Sequence, residues 1–89
     1  MRAETRIKEA IALQRAGRLE AADEIYTAIL GREPAHPAAL HYLGLVRFQQ
    51  GRLDEAERLI SESLQQAPDN ANAWSDLGMV RVRADAPDK

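Results

Sequence analysis

The residues best suited to chemistry in this sequence are two histidines and two closely spaced serines. His36 and His41 are the only imidazoles, and a metal site needs more converging ligands than these two can supply. Ser61 and Ser63 have no nearby histidine that could act as a base, and no glycine-rich loop that could hold a phosphate is present. We therefore expect no enzyme, no metal site and no cofactor.

The charged residues also favour a structural interpretation. Asp54, Glu55 and Glu57 fit a solvated helix face whose first-turn acids are favoured by the helix dipole. The chain has 12 basic and 14 acidic residues, a formal net charge of -2 and no basic block, so it lacks the electrostatic footprint of a nucleic-acid-binding protein. The absence of cysteine excludes disulfides and thiol chemistry.

The longest apolar stretches are only a few residues long, whereas a membrane-spanning helix needs about 20. The first eight residues are charged and no apolar segment of a signal peptide follows them. We therefore expect no membrane partner and a cytoplasmic location.

An internal repeat is the strongest pattern in the chain. Residues 17–49 align with residues 51–83 at an offset of 34 residues. The matching positions carry small, apolar and turn-forming residues, among them Gly17 with Gly51, Ala22 with Ala56, Leu30 with Leu64, Pro34 with Pro68, and Leu43-Gly44 with Leu77-Gly78. A repeat of this length is typical of stacked helix–turn–helix units. The alanines and glycines among them would let neighbouring backbones approach closely.

The spacing of apolar residues predicts five helices, over 3–15, 19–32, 37–49, 53–66 and 71–83. Gly17 and Gly51 would close the first and third helices in a left-handed conformation. Pro34 and Pro68 would end the second and fourth helices, and Pro37 would open the third. Asp69 and Asn70 could cap the fifth helix, in which we expect Trp74 to be a core residue.

These features resemble the tetratricopeptide repeat family. The residues that carry the resemblance are Ala10, Gly17, Ala22, Tyr26 and Pro34 in the first repeat, Leu40, Leu43, Gly44, Gly51, Ala56, Ile60 and Pro68 in the second, and Trp74, Leu77 and Gly78 in the third. Arg47 and Arg81 depart from the family, because they stand where it often has tyrosine.

The resemblance implies an all-α fold, a right-handed α-solenoid of antiparallel helix hairpins with about two and a half repeats in five helices. We expect one domain over residues 1–89, with repeats over 3–36 and 37–70, a partial repeat over 71–83 and a polar tail over 84–89. It also implies a protein or peptide partner in a concave groove formed by the first helix of each repeat. The groove positions are Ile7, Ile11, Gln14, His41, Leu45, Phe48, Gln49, Ser75, Met79, Val82 and Arg83.

The last helix is apolar on more than one side, and this leaves several functions open. Trp74, Leu77 and Val80 could cover the fourth helix, which would leave Met79 and Val82 uncovered. The chain could form a homodimer through this helix, or it could be part of a larger protein. The alternatives to a groove-binding scaffold are a substrate-recruiting segment of a bacterial transferase, a purely structural dimerisation module and a small enzyme.

Overall fold

The computed structural model describes residues 3–85, and five α-helices account for most of them. The helices are α1 (Ala3–Arg15), α2 (Leu19–Arg32), α3 (Pro37–Gln49), α4 (Leu53–Gln66) and α5 (Ala71–Asp85). The first four have the bounds that the apolar spacing predicts, and α5 ends two residues later than predicted, at Asp85. No strand occurs among these described residues. The predicted all-α fold is confirmed.

Two glycines close helices in the same way, one repeat apart. Gly17 and Gly51 have φ angles of +83° and +81°, in the left-handed region where a Cβ atom would be strained. At the first turn the amides of Gly17 and Arg18 donate to carbonyls of the last turn of α1. At the second turn Gly51 and Arg52 repeat both bonds onto α3. This paired arrangement is a Schellman motif, and it reverses the chain within three residues.

The longer connections, before α3 and α5, end in side-chain caps. His36 accepts a hydrogen bond from the amide of Ala39 through Nδ1, at 3.3 Å. Asn70 accepts one from the amide of Ala73 through Oδ1, at 3.1 Å. Pro37 occupies the first turn of α3, as predicted. Each cap satisfies an amide that the first helical turn leaves without a partner.

The core runs through the whole array because each helix packs on the next. One apolar cluster joins α1, α2 and α3 with Leu59 of α4, and a second joins α4 and α5 with the half-buried Leu45 and Phe48 of α3. The backbone of α3 comes close to the backbones of both α1 and α5, whereas the backbones of α2 and α4 stay further apart. The array therefore bends towards α1, α3 and α5, which form its inner, concave face. None of the described helices is long and apolar enough to cross a membrane.

The two glycines in the middle of α3 and α5 have different surroundings although they are equivalent in the repeat. A Cβ atom on Gly44 would lie 2.6 Å from Cγ1 of Ile60 and 3.3 Å from the carbonyl oxygen of Ala56. A Cβ atom on Gly78 would meet nothing within 4 Å. The predicted close approach therefore occurs at Gly44, where α4 packs on α3, and not at Gly78.

Candidate functional site

Hydrogen bonds between side chains connect the three helices of the concave face. Between α1 and α3, Nε2 of Gln14 donates to Oε1 of Gln49 at 2.8 Å. The other polar atom of Gln14, Oε1, accepts from the hydroxyl of the fully buried Tyr26 at 2.9 Å. Gln14 is thus buried with both of its polar atoms paired. It connects α2, behind the concave face, with α3.

The next pair of inner helices, α3 and α5, is connected at two places. Nε2 of His41 lies 2.8 Å from Oδ2 of Asp76, and the His41 ring is almost fully buried. Further along, the guanidinium carbon of Arg83 lies 5.3 Å from the centre of the Phe48 ring, within the range of a cation–π interaction. These contacts join α3 and α5 at the concave face.

The predicted groove residues fall into three classes of burial. Ile7, Gln14 and His41 are buried, so their side chains support the concave face and are not free to touch a partner. Ile11, Leu45 and Phe48 are half-buried on its surface. The exposed members are Gln49, Ser75, Met79, Val82 and Arg83.

A shallow depression lies between α1 and α3 on the concave face. Its volume is about 240 Å³, and its lining residues are Ile11, Gln14, Arg15, Tyr42, Leu45 and Gln49. The apolar part of this lining comes from half-buried side chains that keep some exposed surface. Arg15 and Tyr42 are not among the groove positions predicted from the sequence. Tyr42 stacks on Tyr26 at 6.2 Å between ring centres, an interaction that the sequence pattern does not reveal.

Behind the concave face, one arginine joins three helices. Nη1 of Arg47 on α3 donates to Asp23 on α2 at 2.6 Å, and its Nε donates to Glu55 on α4 at 3.0 Å. Burial acts to raise the pKa of the Asp23 carboxyl, but hydrogen bonds from Arg47 and Thr27 and the positive charge of Arg47 hold that pKa below its usual value. The same hydrogen bond with Asp23 raises the pKa of Arg47.

The last helix exposes three large apolar side chains. Trp74 is 53% exposed, Met79 43% and Val82 73%. The prediction that Trp74 is a core residue is wrong. Its indole Nε1 instead donates to the carbonyl of Pro68 at 2.8 Å, which holds the ring beside the turn before α5. The prediction failed because burial of this side of the helix requires a neighbour that the described residues do not supply.

His41 and Ser63 make contacts between elements of the fold. Within residues 3–85, no three histidine, cysteine or acidic residues come close enough to hold a metal ion. His41 and Asp76 bond to each other, and Ser63 donates to the carbonyl of Pro37 at 2.8 Å. These polar groups thus stabilise contacts between helices.

Stacked helix hairpins with a concave face define a helical-repeat protein. The model of the tetratricopeptide repeat family matches residues 7–71, which is more than half of the chain. The protein therefore belongs to the tetratricopeptide repeat family, whose repeats serve in general as non-catalytic scaffolds for protein–protein interaction. No curated protein matches the chain in sequence.

Proposed function

We propose that this protein binds a peptide or an amphipathic helix of another protein on its concave face. The observation that carries the proposal is the row of incompletely buried apolar side chains across the inner helices, Ile11 on α1, Leu45 and Phe48 on α3, and Met79 and Val82 on α5. Apolar side chains that stay exposed on one face favour a contact site there. A cytoplasmic site of action remains part of the proposal.

The chemistry of the surface favours a partner with apolar anchors and some negative charge. Arg15 and Arg83 are exposed at the ends of the inner helices α1 and α5. Asp76 is already paired with His41, so its charge is partly satisfied within the protein. An apolar segment that carries an acid near either arginine would gain both burial and charge attraction.

Panning a library of random peptides against the protein, followed by titration of the selected peptides, tests this proposal. We expect selected peptides to contain apolar anchors and to lose at least tenfold in affinity, about 1.4 kcal/mol, against the Met79→Glu variant. The control is Ala28→Glu, which adds the same charge at an exposed position on α2, outside the concave face. If the selected peptides bound Met79→Glu, Ala28→Glu and the unmodified protein with equal affinity, the proposed binding in the groove would be refuted.

Self-association is a second candidate, and the exposure of Met79 and Val82 favours it. Two copies that paired through α5 would bury these side chains in a two-fold contact. Light scattering over a dilution series would then show a mass that falls from dimer to monomer. A monomer at every concentration would rule this candidate out.

A further inference from the structure

Helix α5 presents a second face that no other described helix covers, distinct from the concave surface. Trp74, Gly78 and Arg81 follow one another at helical spacing on this face, which we call the outer stripe of α5. All three are exposed. At the repeat offset of 34 residues they correspond to Leu40, Gly44 and Arg47 of α3. The surroundings of these α3 residues therefore show what kind of element packs on such a face.

On α3 the equivalent face is covered by α4. Ile60 and Ala56 of α4 lie against Gly44, where the missing Cβ atom lets the two helices approach closely. Glu55, next to Ala56, bonds to Nε of Arg47 at 3.0 Å. The helix that covers α3 thus places an acid, an alanine and an isoleucine in the order Glu-Ala-x-x-x-Ile.

Within residues 3–85, no helix covers the same three positions of α5. A Cβ atom on Gly78 would have open space around it, and more than half of the Trp74 surface is exposed. Arg81 donates to Glu57 at 3.1 Å, and this bond repeats the one between Arg47 and Asp23. Within the described range 3–85, however, Arg81 has no second carboxylate in the place that Glu55 takes beside Arg47.

The glycine that makes the turn from α3 to α4 is not repeated at the equivalent position of α5. Gly51 makes that turn with a φ of +81°, and the residue at the equivalent position is Asp85, which is still helical. A residue with a Cβ atom rarely adopts the left-handed conformation that this turn requires. A second copy cannot supply its own α4 either, because Ala56, Ile60 and Ser63 are already fully buried against neighbouring helices.

We propose that the outer stripe of α5 binds an amphipathic helix from a partner protein, and that this helix carries the Glu-Ala-x-x-x-Ile pattern of α4. The isoleucine and alanine of the partner would pack over Gly78 and beside Trp74. The glutamate of the partner would bond to Arg81 in the way that Glu55 bonds to Arg47. This site differs from the concave groove in face and residues, so it does not depend on the groove proposal.

A synthetic peptide of residues 52–67 is the probe, because it carries the α4 pattern and has no tryptophan. Trp74 is the only tryptophan of the chain, so its emission reports on the outer stripe alone. Addition of the peptide to the full chain should produce a saturable blue shift, because the half-exposed indole becomes buried. The absence of a saturable shift up to the solubility limit of the peptide would overturn the proposal.

Two glycine variants locate the bound peptide. Gly78→Leu should fill the space for the partner helix and weaken binding at least tenfold. Gly31→Leu is the matched control, because Gly31 is also a helical glycine with nothing within 4 Å of its Cβ position, and it lies on α2. Both substitutions favour the helix over glycine, so both proteins should fold. If the two variants bound the peptide with equal affinity, the proposal would be overturned. This result is expected if the peptide replaces α4 in the fold and does not bind to α5.

Charge reversal tests the acid in the pattern. A peptide with Glu55→Lys should bind the unmodified protein several-fold more weakly and should regain affinity for the Arg81→Glu variant. If the charge-swapped pair failed to regain affinity, this result would contradict the assigned register. A blue shift that develops on concentrating the protein alone, with a doubled mass by light scattering, would also overturn the proposal, because a second copy would then be the occupant.

Discussion

His41 on α3 and Asp76 on α5 are joined by a contact of 2.8 Å between Nε2 and Oδ2, and the two residues are 35 positions apart. Gln14 and Gln49 have the same separation and also hydrogen bond at 2.8 Å. Both separations are one residue longer than the repeat. Residues at this separation lie on neighbouring inner helices and are close enough to bond to each other. The concave face is therefore built with one polar link between each neighbouring pair of inner helices.

The His41–Asp76 link should contribute measurably to stability because the imidazole is buried. Asp76→Ala removes the partner of Nε2, and an unsatisfied buried polar group costs about 1–3 kcal/mol. We expect the free energy of unfolding, measured with urea, to fall by this amount. Asp85→Ala is the control, because Asp85 is exposed in the last turn of the same helix. A loss for Asp76→Ala no larger than that of the control would show that the link is not a stabilising one.

Tyr26 should make the protein sensitive to alkaline pH. Burial raises the pKa of Tyr26, with a smaller effect from Tyr42, above its ordinary value of 10.0. Because the folded state has the higher pKa, the stabilisation is complete below pH 10 and is lost as pH rises further through the folded pKa. The Tyr26→Phe variant should therefore lose less stability than the unmodified protein between pH 7 and about pH 11.

The same substitution has the opposite effect at neutral pH. Removal of the Tyr26 hydroxyl leaves Oε1 of the buried Gln14 without its donor, which should cost about 1–3 kcal/mol. Urea unfolding of both proteins at the two pH values measures both effects. Parallel pH profiles for the two proteins would contradict the role of the Tyr26 hydroxyl at high pH.

Asp23 should contribute to the sensitivity of the protein to acid. The hydrogen bonds from Arg47 and Thr27 hold the pKa of Asp23 below its ordinary value of 3.8. The stabilisation is therefore present above pH 3.8 and is lost as pH falls through the lower, folded pKa. Asp23→Asn should lower stability at pH 7 by on the order of 1 kcal/mol and should flatten the pH dependence below about pH 4.

A second acidic residue provides the control for Asp23. Glu62 pairs with Arg58 at 3.7 Å, and the two side chains are 44% and 62% exposed. Exposed pairs of this kind contribute about 0–1 kcal/mol. Glu62→Gln should therefore leave both the stability at pH 7 and its acid dependence nearly unchanged. If Glu62→Gln and Asp23→Asn had equal effects, the partly buried position of Asp23 would not matter.

Helix bounds could be predicted from the sequence because local physics determines them. Gly17 and Gly51 close helices through a backbone conformation that other residues rarely adopt, and Pro37 starts a helix whose first amides have no partner in any case. These signals lie within a few residues of the feature that they specify. The same applies to Asn70, whose capping bond reaches only three residues.

The side-chain links could not be predicted because each depends on a neighbouring helix. Arg47 differs from the residue that the family often has, but its partners Asp23 and Glu55 lie on two other helices. His41 was expected to face a partner and is instead buried against Asp76. The prediction for Trp74 failed for the converse reason. Its residue type suggested burial, but no neighbouring helix is present at this position among the described residues.

The glycines of α3 and α5 give the sharpest test of the packing. Alanine is more favourable than glycine inside a helix by about 1 kcal/mol. At Gly78 the added Cβ atom meets nothing within 4 Å, so Gly78→Ala should raise the free energy of unfolding by up to this amount. At Gly44 the Cβ atom would lie 2.6 Å from Cγ1 of Ile60. Ile60 is fully buried and cannot move away freely, so overpacking should cost about 1–3 kcal/mol.

Gly44→Ala and Gly78→Ala add the same methyl group at equivalent repeat positions, the first on α3 and the second on α5. Urea unfolding of both proteins should thus give changes of opposite sign, with Gly44→Ala the less stable. Gly44→Ala combined with Ile60→Val should recover part of the loss, because valine lacks Cδ1, which would lie 3.4 Å from the new Cβ atom, and its smaller side chain can shift more easily. Stabilisation by both single variants would show that α4 can move away from α3, and the close contact at Gly44 would then not determine how the helices pack.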